Sequence, residues 1–116
     1  MCNPGRYNIK FYRGTTLQIS MMYTIDNIAV DLAGYTAIMD VRPSAESATL
    51  ITQLTTENGG LILNQVNGQI VIYISATDTL ELPLGQFQYD LNITSDSGFV
   101  TKLIMGSFVV LDPVTE

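Results

Sequence analysis

Asp40 and Asp90 lie inside alternating apolar stretches instead of at turns, and two strand carboxylates are the minimum equipment for cleaving a glycosidic bond. Their phase points elsewhere: each alternates with residues suited to a core and so faces outward, where Arg42 and Lys102 offer cross-strand partners. Histidine, the usual source of a group titrating near neutral pH, is absent, which removes the common catalytic triads. Asp96, Ser97 and Gly98 would bring at most two ligands to a calcium ion and read as turn chemistry. Gly59 and Gly60 lack the following helix and lysine of a phosphate cradle. Tyr7, Tyr12, Tyr23, Tyr35, Tyr73 and Tyr89 could stack on sugars, but tryptophan is absent and several of the six fall on inward faces, so core packing accounts for most of them. The expectation is a non-enzymatic chain with no catalytic residue, no cofactor and no metal.

Cys2 is the only cysteine, which excludes an intramolecular disulfide and a thiolate cluster within one chain, so packing must hold the fold. Eleven acidic against five basic residues give a net charge of −6, which opposes binding to a phosphate backbone. Only 14% of the residues are charged and 47% are hydrophobic, a balance suited to packing against another protein. Residues 1–6 lack the layout of a signal peptide and no apolar run has the length of a membrane span, so folding in a cytoplasm is expected, with no membrane partner. Asn92, Ile93 and Thr94 spell a glycosylation sequon that reads as an ordinary outward polar pair on a strand.

The elements follow from a period of two. In Phe87 to Thr94, Phe87, Tyr89, Leu91 and Ile93 share one face and Gln88, Asp90, Asn92 and Thr94 the other, as in a half-buried strand. Similar alternation marks Tyr7 to Tyr12, Leu17 to Thr24, a short Ile28 to Leu32, and Tyr35 to Arg42, where Pro43 ends the strand. Residues 44–48 read as a loop. Leu50 to Thr55, Leu61 to Asn64 and Gln69 to Ser75 follow, joined by turns at 58–60 and at Asn67 and Gly68. Ala76 to Leu84 breaks the alternation: Thr77 or Asp78 can cap a helical turn, and Leu80, Leu82 and Leu84 can plug one end. Phe99 to Gly106 and a separate Ser107 to Leu111 complete the chain. Residues 1–116 thus form one all-β domain, an antiparallel β-sandwich of about eight or nine short strands with one helical turn near 76–84.

The order of signals from Tyr12 to Val110 resembles small proteins and domains of tailed bacteriophages and prophages, among them the immunoglobulin-like N-terminal domain of upper baseplate proteins. The matching pieces are the Tyr12, Arg13, Gly14 opening, DLAGY at 31–35 before the Ala37 to Arg42 strand, and TTENGG at 55–60. The hairpin arm of 67–75, SATDTLELPLG at 75–85, the Phe87 to Leu91 strand and the closing Gly106 to Val110 follow in order.

The resemblance implies an immunoglobulin-like sandwich serving as a virion structural protein, a homo-oligomer that joins or decorates other particle proteins in the tail, baseplate or fibre region. Capsid decoration is the alternative, and a carbohydrate-binding module that touches host-surface glycan is a further one. Edge strands are the natural contacts, because they present unpaired backbone donors and acceptors. The expected partner-contact residues are Tyr7, Ile9, Phe11 and Tyr12 on the first strand, with Pro113 and Val114 in the second of two terminal arms, 1–6 and 113–116.

Overall fold

A computed structural model of the chain describes residues 5–44, 47, 49–64 and 68–112. In chain order the elements are β1 (Gly5–Arg6), β2 (Ile9–Tyr12), β3 (Leu17–Met22), β4 (Thr24–Ile25), β5 (Ile28–Ala29), β6 (Thr36–Arg42), β7 (Thr52–Thr55), β8 (Leu61–Asn64), β9 (Gln69–Ile74), α1 (Ala76–Leu80), β10 (Gly85–Thr94) and β11 (Val100–Leu111). One sheet runs β1-β11-β10-β6-β7, with β2 also on β11; the facing sheet runs β3-β9-β8, and β4 with β5 forms a small hairpin. This is the strand order of an immunoglobulin-like sandwich, in which the second, fifth and fourth main strands pack against a sheet built around the third, sixth and seventh.

The alternation expected from the sequence is the alternation observed where strands are central. Ala37, Met39 and Val41 of β6, Ile70, Ile72 and Ile74 of β9, and Tyr89, Leu91 and Ile93 of β10 are all buried in one core. These side chains come from both sheets, and β-branched or aromatic residues fill the space between them as a pleated surface favours. Phe108 sits at the centre, fully covered, with the Phe11 ring edge-on at 5.3 Å and the Tyr89 ring at 6.4 Å.

Three features differ from the expectation. The first strand is not antiparallel to anything: β1 and β2 both run parallel to β11, in one register that takes Arg6 to Met105 and Ile9 to Phe108. The link between β2 and β3 crosses from one sheet to the other, so no hairpin forms there and the N-terminal strand docks on the opposite layer. The second difference is that β11 continues through Gly106 without a break. A Cβ at Gly106 would run into the Tyr7 carbonyl oxygen and lie 2.9 Å from Asn8 Oδ1, so this glycine marks the point where the N-terminal strand arches against β11 and not the end of a strand. Around that arch the Tyr7 amide donates to the Met105 carbonyl at 3.1 Å and the Ser107 amide donates to Asn8 Oδ1 at 3.1 Å, while the Tyr89 hydroxyl donates to the Tyr7 carbonyl at 2.5 Å.

The third difference lies at the helical turn. Ser75, not Thr77 or Asp78, is the N-cap of α1, its hydroxyl accepting from the Asp78 amide at 3.2 Å. Of the three leucines only Leu82 is buried, and Leu80 and Leu84 are exposed. The residue that plugs this end is Thr79, fully buried, whose hydroxyl accepts from the Gly14 amide at 3.0 Å and lies 2.7 Å from the Thr15 carbonyl oxygen. The helix is thereby fastened to the link between β2 and β3.

Candidate interaction surface

The residues expected to meet a partner divide sharply. Ile9 and Phe11 point into the core, so a neighbour could reach them only through their backbone. Tyr12 faces outward as its phase requires, whereas Tyr7 leaves the inward phase because the arch at Gly106 turns it out; each is 47% exposed. Pro113 and Val114 lie outside the described residues, as does Asn67 of the expected hairpin turn. The β1 and β2 edge also carries Arg6 and Lys10 and is interrupted at Tyr7 and Asn8, features that discourage further strand pairing.

On the outer face of the larger sheet, Asp40 and Asp90 stand directly opposite one another across β6 and β10. Two like charges in register repel, and both expected cations are in place to offset that: Arg42 lies 3.1 Å from Asp40 and 3.8 Å from Asp90, and Lys102 lies 3.3 Å from Asp90. Gln53 adds a hydrogen bond to Asp40 Oδ1 at 2.9 Å. The hollow beside this cluster holds about 80 Å³, well short of the roughly 300 Å³ at which ligand pockets begin. The arrangement is a surface ion-pair network that ties three strands together.

A polar hollow of about 480 Å³ opens between β7, the turn at 58–60, the end of β9 and α1. Its central polar groups are already engaged by the backbone. Asn58 Oδ1 accepts from the Thr55 and Gly60 amides at 3.0 and 2.9 Å, Asn58 Nδ2 donates to the Gln53 carbonyl at 3.1 Å, and Ser75 caps the helix. Among the described residues no three acidic or cysteine side chains converge as a metal site would require.

A third concavity is apolar, a groove of about 590 Å³ between the end of β3 with β4 and the start of β11, lined by Met22, Ile25, Phe99 and Leu103 among others. Around it Phe99, Ile25 and Met22 are 68%, 55% and 54% exposed, and Ile28, opposite Ile25 in the hairpin, is 70% exposed. Local turn chemistry puts them there. Asp26 and Asn27 both adopt positive φ, 53° and 66°, the two-residue reversal typical of hairpins, and the arms it joins are too short to reach the core. At the other wall the Ser95 amide donates to the Phe99 carbonyl and the Phe99 amide to Ser95 Oγ, presenting Phe99 at the tip of the β10–β11 hairpin. Met22, Ile25 and Phe99 thus leave apolar side chains in water around a single groove.

This patch was not among the residues expected to meet a partner. The signal for it was nonetheless present: Ile25 and Ile28 flank a two-residue turn, and Phe99 with Val100 are adjacent apolar residues at a strand start, where one of the two must face out. In the structure both are exposed.

No family profile matches this chain, and no curated protein sequence matches it. Among solved structures, the chain is similar to CopC from Methylosinus trichosporium OB3b at 11% identity, covering 97% of this chain and 88% of that one with a TM-score of 0.46. It is also similar to Drosophila OTK, extracellular domains 3–5, at 17% identity and a TM-score of 0.40, covering 96% of this chain and 34% of that one. Likeness at this level carries no functional argument for the chain.

Proposed function

We propose that this chain is a non-enzymatic structural component of a tailed-bacteriophage particle, an assembly or attachment module of the tail, baseplate or fibre region that works through protein–protein contacts. The observation that carries the contact role is the exposed apolar rim of Met22, Ile25 and Phe99 around its groove, with exposed Ile28 paired to Ile25 in the adjoining hairpin. An isolated domain gains nothing from leaving that surface in water, and a neighbour that covers it gains from removing it. The phage assignment draws on the residue resemblance that spans Tyr12 to Val110. Sparse surface charge supports the role, since few ions need be stripped of water when neighbours dock.

The test is the composition of purified particles together with a photo-crosslinking residue introduced at Phe99. Small copy numbers in multiples of three, six or twelve, with crosslinks to another tail protein, support the assignment. Hundreds of copies crosslinked to the major capsid protein would move the chain to capsid decoration. Absence from particles overturns the virion role, and binding on a glycan array with no protein crosslink would replace it with sugar recognition.

A further inference from the structure

The second sheet ends in an edge that no described strand covers. β3 pairs with β9 alone, and its six residues, Leu17 to Met22, contain no charge, no proline and no bulge. The other edges are blunted: β1 and β2 carry Arg6 and Lys10 and a break between them, and β7 and β8 are four residues each. Long, flat, uncharged edges are the ones that recruit another strand.

The hydrogen-bonding parity of β3 can be read from its neighbours. The Tyr73 amide donates to the Gly60 carbonyl at 2.9 Å, so the odd-numbered residues of β9 face β8, and Ile70, Ile72 and Ile74 turn their backbone groups toward β3. Their partners are Met21, Ile19 and Leu17. The Tyr23 amide donating to the Gly68 carbonyl at 2.8 Å gives the same parity independently. Gln18, Ser20 and Met22 therefore aim their amides and carbonyls away from β9, toward the open side.

We infer that β3 pairs antiparallel with β3 of a second copy about a two-fold axis at Ser20. That one register matches every outward group: Gln18 faces Met22 of the other copy, Ser20 faces its own equivalent, and Met22 faces Gln18, with six backbone hydrogen bonds in all. Side-chain faces agree as well, because Ile19 falls opposite Met21 on the inner face. Both residues are only half-buried, whereas Ile70 and Ile72 beside them on β9 are wholly covered. A second β3 would close that flank and join the two three-stranded sheets into one of six. The pairing gives a definite surface to the multi-copy expectation, but it stands on strand geometry and not on the virion role. A dimer absent from phage particles would sink only that role.

Sedimentation of the intact chain over a wide concentration range, with amide exchange of both states, provides the test. The expected species are 12.7 kDa and twice that mass, with the Gln18, Ser20 and Met22 amides slowing only in the larger one and those of Ile19 and Met21 slow in both. Ser20→Pro removes an outward amide and leaves the β9 ladder intact, so it should keep the monomer folded by circular dichroism and weaken dimerisation at least about thirtyfold, the loss of two hydrogen bonds. Ser20→Lys, which sets like charges against each other at the axis, should weaken it too. A chain that stays monomeric at high concentration overturns the inference. So do a dimer whose three outward amides exchange freely, a Ser20→Pro variant that dimerises like the parent, or open-ended filaments made by β3 meeting β8.

Discussion

Replacing Thr79 by valine removes one oxygen and keeps the shape. That oxygen accepts from the Gly14 amide at 3.0 Å and lies 2.7 Å from the Thr15 carbonyl and 3.0 Å from the Ala76 carbonyl, in a side chain with no exposure. Two hydrogen bonds at about 1 kcal/mol each are lost, and the half-buried Gly14 amide is left short of a partner, for a total of about 2–3 kcal/mol. In a domain of this size that lowers the melting temperature by about 8–12 °C. Thr79→Ser makes the opposite trade, keeping the hydroxyl and deleting a buried methyl at about 1 kcal/mol. Valine should therefore be the more damaging substitution even though its shape is closer to threonine. Urea titrations of the three proteins, with exchange at the Gly14 amide as a local readout, measure both effects. If valine costs less than about 0.5 kcal/mol, or less than serine, the hydroxyl is not fastening α1 to the β2–β3 link and the account of that end of the fold is wrong.

Gly106→Ala drives a methyl into the Tyr7 carbonyl oxygen and should cost about 1–3 kcal/mol, with faster exchange at the Tyr7 and Ser107 amides; an unchanged urea midpoint would refute the arch. Burial raises the Tyr89 phenol above the ordinary tyrosine range, with Tyr7 adding to the shift, so folding favours the protonated form. Below the unfolded value near pH 10 both states hold the proton and the contribution is complete; above it the unfolded state loses the proton first, and stability falls by about 1.4 kcal/mol per pH unit. Urea midpoints at rising alkaline pH should show this slope in the parent and a shallower one in Tyr89→Phe, and identical slopes would refute it. Phe99→Ser should leave stability within about 0.5 kcal/mol, because the ring is largely in water, while reducing binding of a hydrophobic dye; a large loss of stability would show the ring to be part of the core.

What could be read from the sequence was what is local. The inward triplets of β6, β9 and β10 repeat every second residue and are bounded by turn formers, and Pro43 ends β6 where a ladder donor is missing. The cross-strand partners of Asp90 were legible for the same reason, because phase alone sends them to one face. The unreadable features depend on segments that meet from far apart. Gly106 looks like punctuation until the Tyr7 backbone is laid against it, and Thr79 looks like a surface helix residue until the 13–16 link arrives above its hydroxyl. The parallel first strand has no local signature, since alternation reports which face is buried and not which neighbour is paired.

The contact between β2 and β11 joins positions 99 residues apart in the chain. β2 has no strand to pair with until β11 is in place, so its docking is a long-range step that comes late in folding. Until then β11's landing site is vacant, and any chain whose first strand is free can settle on it. The seam that finishes one molecule is thus the place where two nascent molecules can exchange ends.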